Sequence, residues 1–129
     1  MNFEERRQHK RHKCRGNCSL YLSRRTDTTP TSSILSGRLQ DISLASAGVS
    51  LGAILLDRTH LAYAADDEKD LTLQLELPVG EEKSIVVPCR MSWYNKELDD
   101  EIFPFRLGLT FLKNVSKEEL LAIKNAPRR

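Results

Sequence analysis

The chain has 129 residues and a mass of 14.7 kDa, and 40% of its residues are hydrophobic, which supports a single globular domain with its own core. A net charge of +2 is too small for a general nucleic-acid binder, no apolar run is long enough to cross a bilayer, and the Glu- and Arg-rich opening is not a secretory signal. A cytoplasmic protein with no membrane insertion is therefore expected, and its three cysteines, Cys14, Cys18 and Cys89, which cannot all pair, are read as reduced thiols.

Residues 1–12 lack apolar periodicity and hold Arg6, Arg7, Lys10 and Arg11, so they are expected to form a flexible basic arm, with the domain proper running from 13 to 129. From Cys14 to Leu22 the residues Cys18, Leu20 and Leu22 alternate with Asn17, Ser19 and Tyr21, the pattern of a first strand. The polar run 23–33, with Pro30 among serines and threonines, reads as a loop. Residues 34–42 form a second strand in which Gly37 marks a bend or bulge, and Val49 and Leu51 mark a short third strand. Residues 54–65 are apolar without clear periodicity and are compatible with a helical turn or a loop over one barrel mouth. Leu71, Leu73, Leu75 and Leu77 alternate with polar residues up to the turn at Pro78-Val79-Gly80. Ile85, Val87, Cys89, Met91 and Trp93 are expected to share one face of the next strand, with Trp93 at the core or rim rather than serving as a stacking surface. After a solvated turn at Asp99-Asp100-Glu101, Phe105, Leu107, Leu109 and Phe111 line a last strand with Gly108 on its other face. Ser116 and Glu119 form a capping box, with Val115 and Leu120 as its hydrophobic staple, so a helix is expected over about 116–126, burying Leu120, Leu121 and Ile123. Six strands without long intervening helices make the fold class all-β with a C-terminal helix, arranged as an antiparallel barrel or sandwich.

No nucleophile elbow, Gly-rich phosphate loop or paired acids with a base is present, so catalysis is not expected. His9, His12, Cys14 and Cys18 are metal-ligand types, but their spacing matches no common zinc pattern, and His60 is assigned to the surface. No metal or cofactor is expected.

Two polar clusters stand apart from this background. Arg7 and Arg11 form Arg-x-x-x-Arg, and Asp41 and Ser43 lie two apart, where a strand would turn both side chains to one outer face. Guanidinium groups suit phosphates and stack on bases, while a carboxylate accepts from the N–H donors of a guanine edge. Each cluster also has a plainer reading, the arm as a solvated segment and the Asp-Ser element as a turn. Taken in order, these motifs resemble those of the PilZ domain family, which carries Arg-x-x-x-Arg in an N-terminal loop and Asp-x-Ser-x-x-Gly on a neighbouring strand. The resemblance extends to the strand ending at Trp93, the Phe-x-Leu-Gly-Leu-x-Phe strand at 105–111 and the closing helix.

The resemblance implies a six-stranded antiparallel β-barrel with a C-terminal helix that binds cyclic di-GMP. It assigns Arg7 and Arg11 to phosphate and guanine, Asp41 and Ser43 to the guanine and ribose side, and Arg6 to a further phosphate. The glycine of the motif falls at Ser46, so either Ser46 replaces it or its role passes to Gly48. The implied function is a non-catalytic receptor whose arm folds over bound ligand and signals to an unidentified protein partner. The alternative is a degenerate PilZ-like interaction module that does not bind nucleotide, and a nucleic-acid binder using the arm and Arg128-Arg129 is a further rival.

Overall fold

The computed structural model describes residues 10–63 and 70–126. Its elements are β1 (His12–Arg24), β2 (Leu35–Ile42), β3 (Ser46–Leu51), the small strands β4 (Leu55–Leu56) and β5 (Thr59–His60), a 3-10 turn (Leu61–Tyr63), β6 (Leu71–Pro78), β7 (Ser84–Lys96), β8 (Phe105–Phe111) and α1 (Lys117–Lys124). Six strands close into a barrel in the order β1-β2-β3-β8-β7-β6, every neighbouring pair antiparallel.

The alternating residues explain the closure. Leu20, Leu39, Val49, Leu75, Leu77 and Leu107 point inward and are buried to 2% exposure or less. Each buried side chain of this kind is worth about 1.5–3 kcal/mol relative to exposure. Within the 54–65 segment, ambiguous in sequence, the described residues 54–63 form the β4–β5 hairpin and the 3-10 turn, which insert Leu56 and Leu61 into the same core.

Closing a small barrel demands local bends, and these do not lie where the glycine pattern placed them. The irregularity in β2 falls at Gln40, between the pairs Leu39↔Val49 and Asp41↔Gly48, opposite a second one in β1 between Lys13 and Gly16. Gly37 instead stays in register with Leu51 and allows close approach, since a Cβ there would lie 2.4 Å from Leu51 Cδ2 and 2.5 Å from the Ser50 carbonyl oxygen. Gly37→Ala is accordingly expected to destabilise the fold by about 1–3 kcal/mol through overpacking, a loss readable by urea denaturation.

A third bulge, at Ser92, separates Met91↔Leu109 from Trp93↔Gly108. The extra residue carries Trp93 off the face it was expected to share with Met91 and Cys89 and turns it outward, where it is 45% exposed. The outer face of β1 also departs from its sequence pattern. The 25–33 loop folds back over it, with the Tyr21 hydroxyl donating to the Thr28 carbonyl at 2.9 Å and the Leu22 amide to Ser32 Oγ at 2.8 Å. Tyr21 and Ser23 are buried as a result.

The helix begins as its capping box dictates. Ser116 Oγ accepts from the Glu119 amide at 3.0 Å, Glu119 Oε1 accepts from the Ser116 amide at 2.8 Å, and the staple residues Val115 and Leu120 are buried. Leu120 and Ile123, three apart, face the barrel, whereas Leu121, expected to join them, is rotated away by its position on the helix and is 58% exposed.

Candidate functional site

The bulges at Gln40 and Ser92 arrange the outer wall. A continuous register row crosses five strands from Lys13 to Asp41, Gly48, Gly108 and Trp93. The two glycines are neighbours, and neither has a side chain to fill the surface between Asp41 and Trp93. The Asp41 carboxylate lies over Gly48, where a Cβ would sit 3.0 Å from both carboxylate oxygens, and the indole lies over Gly108, where a Cβ would sit 2.0 Å from Nε1. The result is a narrow floor with an acid at one end and an aromatic ring at the other.

Arg11 reaches this floor. Its Nη1 is 3.4 Å from Asp41 Oδ1, with both side chains 27% exposed. Such a partly exposed pair contributes about 0–1 kcal/mol, so its main consequence is positional, holding a guanidinium beside the carboxylate. Arg6 and Arg7 lie outside the described residues.

Ser43 departs from the expectation of an exposed hydroxyl beside Asp41. β2 ends at Ile42, and Ser43 is 2% exposed in the turn that follows. Its Oγ accepts from the amides of Ala45 (3.2 Å) and Ser46 (3.1 Å), its own amide donates to the Ser46 carbonyl at 2.8 Å, and its Oγ lies 3.0 Å from Ser46 Oγ. The hydroxyl shapes the turn that delivers β3 instead of facing solvent. Ser46 opens β3 opposite Thr110 without positive φ, which among described non-glycine residues occurs only at Asp57, Arg58 and Asp70. A serine is thus accommodated there, and the glycine that lies directly under the Asp41 carboxylate is Gly48.

Beside Asp41 lies a groove of about 480 Å³ lined by Gln40 and the cations Lys13, Arg15, Arg106 and Lys124. They come from β1, β8 and α1, so no spacing in the sequence announces them together. Arg106 also pairs with Glu97 at 3.6 Å. At the edge, partial desolvation and then the charges of Lys124 and Lys10 hold His12 below the usual histidine value, and its Nδ1 lies 3.3 Å from Lys124 Nζ. The groove is suited to anions. Trp93 and Gly108 were equally missed as a pair. The usable signal was a glycine inside an otherwise apolar strand, which marks a place where another group approaches closely.

The cysteines belong to the core. Burial pushes the Cys18 and Cys89 thiols up to about 12, and Cys14 Sγ donates to the Ile123 carbonyl at 3.8 Å. Among the described residues no three His, Cys, Asp or Glu side chains gather as a metal cage. Cys18 and Cys89 are expected to resist iodoacetamide at pH 8 in the native protein and react once it is unfolded in urea, as counted by mass spectrometry. Because their folded values are raised, the stability they contribute is present below about pH 9 and is lost as pH climbs toward 12.

Among the described residues no helix is long and apolar enough to cross a membrane. No curated protein matches the chain. The PilZ domain profile matches residues 5–126, nearly the whole length, and together with the closed six-stranded barrel and its C-terminal helix this shows that the chain belongs to the PilZ domain family of cyclic di-GMP receptors.

Proposed function

We propose that this chain is itself a non-catalytic cyclic di-GMP receptor of the cytoplasm, binding the ligand on the outer wall where Asp41, Gly48, Gly108 and Trp93 form one row. The observation that carries the reading is the pairing of Arg11 with an Asp41 carboxylate held over a side-chain-free floor. A guanine edge can donate to Asp41 while its ring lies against the indole of Trp93, and Arg11 shifts from the carboxylate to stack or bridge to phosphate. The groove cations Lys13, Arg15, Arg106 and Lys124 supply the field for the two phosphodiesters. Arg7, one Arg-x-x-x-Arg step before Arg11, with Arg6 beside it, completes the grip as the arm ahead of β1, which begins at His12 and not beyond it, folds over the ligand. Ser43 and Ser46 serve by fixing the turn between Asp41 and Gly48. Ordering the arm presents a new surface to a protein partner, making the ligand a switch.

Isothermal titration of the whole chain with cyclic di-GMP tests this. Saturable binding is expected, with Arg7→Ala and Arg11→Ala each weakening it by a few kcal/mol, in keeping with loss of charge-assisted contacts. An oligonucleotide of arbitrary sequence should not compete at physiological salt. Absence of heat and of chemical-shift change at high ligand concentration would leave the barrel as an interaction module that does not bind nucleotide.

A further inference from the structure

A second groove, of about 760 Å³, lies between the 25–33 loop and the outer faces of β6 and β7. Its floor carries Gln74, which is 4% exposed, and the adjacent apolar surfaces of Val86 and Pro88. Gln74 Nε2 donates to Ser23 Oγ at 2.9 Å, and that hydroxyl spends its single proton on the Arg24 carbonyl at 3.0 Å. Ser23 can therefore only accept from the amide, which fixes the amide's orientation and directs Oε1 away from it. Oε1 is buried without a hydrogen-bond partner among the described residues. Such an orphan acceptor is costly to a fold and calls for a donor.

The rim supplies charge. Arg90, exposed, lines the same groove, and because Gln74 is in register with Pro88, Arg90 is its diagonal neighbour, with backbones about 7–8 Å apart. Arg25, paired with Asp70 at 3.6 Å, stands on the loop side. A buried acceptor, an apolar floor and a rim cation at this spacing describe one kind of guest, and the volume lies within the ordinary range for small-molecule sites.

We propose that this groove is a second ligand site, for a small flat anion whose ring N–H donates to Gln74 Oε1, whose ring lies on Val86 and Pro88, and whose phosphate or carboxylate meets Arg90. It shares no lining residue with the Asp41 groove and does not depend on cyclic di-GMP binding.

The test is a heteronuclear NMR titration of the whole chain with two probes, uridine 5′-monophosphate for a phosphate source and orotate for a carboxylate source. Uridine and inorganic phosphate serve as controls lacking one half of the pharmacophore. At least one probe should saturably shift the Gln74 side-chain amide and the Arg90 backbone amide, with each control at least tenfold weaker. Gln74→Met, which keeps the shape and removes the acceptor together with its own reporting amide, should abolish the remaining probe shifts, read at the Arg90 backbone amide, while leaving the melting temperature unchanged or higher. Arg90→Ala should weaken them at least tenfold, and Asp41→Ala should leave them unaltered. No shift with either probe at millimolar concentration, shifts that instead centre on Asp41 and Trp93, or shifts that persist in Gln74→Met would overturn the site. Failure of cyclic di-GMP titration would leave it standing, because Asp41 takes no part in it.

Discussion

Asp41→Ala is expected to lower cyclic di-GMP affinity by about 10- to 100-fold with little change in melting temperature, because a charge-assisted hydrogen bond is worth about 1.5–3 kcal/mol and each 1.4 kcal/mol is about tenfold. Two losses combine in this variant. The carboxylate that would accept from guanine disappears, and so does the partner that holds Arg11 at 3.4 Å on the floor. Arg11→Ala removes only the second group, so the two effects should be less than additive if Arg11 acts partly through Asp41. Asp41→Asn separates charge from shape, since an amide fits over Gly48 but presents a different hydrogen-bonding edge. An Asp41→Asn protein that binds as tightly as wild type would contradict a carboxylate role. The effect on folding is small for a physical reason: a pair with both members about a quarter exposed contributes little to stability.

Gly108→Val is expected to be the most disruptive single substitution on the wall carrying Asp41 and Trp93. A Cβ at this position would fall 2.0 Å from Trp93 Nε1, inside any permissible contact, so the indole must leave its seat. Trp93 is the chain's only tryptophan, and its emission should shift to the red as the ring moves from half-exposed to solvated. A stability loss of about 1–3 kcal/mol is expected from the forced rearrangement, with cyclic di-GMP affinity falling by at least tenfold because floor and ring are lost together. Trp93→Ala in the same background should restore stability partly and leave affinity low. An unshifted emission spectrum in Gly108→Val would show that the indole does not rest on this glycine. In wild type, quenching or a blue shift of the same fluorophore on adding cyclic di-GMP would give a direct reading of base stacking.

Much of the architecture was legible because a strand buried on one face leaves a period-two trace. Leu71 to Leu77 and Phe105 to Phe111 carry it cleanly, and the strands lie where those residues put them. The helix start was legible for a different reason: a capping box is a local reciprocal hydrogen bond, and local chemistry does not need the rest of the fold. The period fails where a bulge inserts one residue. Nothing in Met91-Ser92-Trp93 distinguishes an inward from an outward tryptophan, because the bulge answers to the curvature of a closed barrel and to the vacancy at Gly108. Ser43 was misplaced for a related reason. Two-residue spacing puts side chains on one face only while the strand continues, and here it ends one residue earlier.

The order of chemistry-bearing residues along the chain was enough to place this protein in its family, since Arg-x-x-x-Arg, Asp-x-Ser and the Gly-centred last strand are one-dimensional patterns. The tertiary structure alone decided which glycine clears space for Asp41, that Trp93 faces outward, and that Lys13, Arg15, Arg106 and Lys124 converge on one groove. Those facts depend on register between strands far apart in sequence, and register is fixed by how the whole barrel closes, which no single segment encodes.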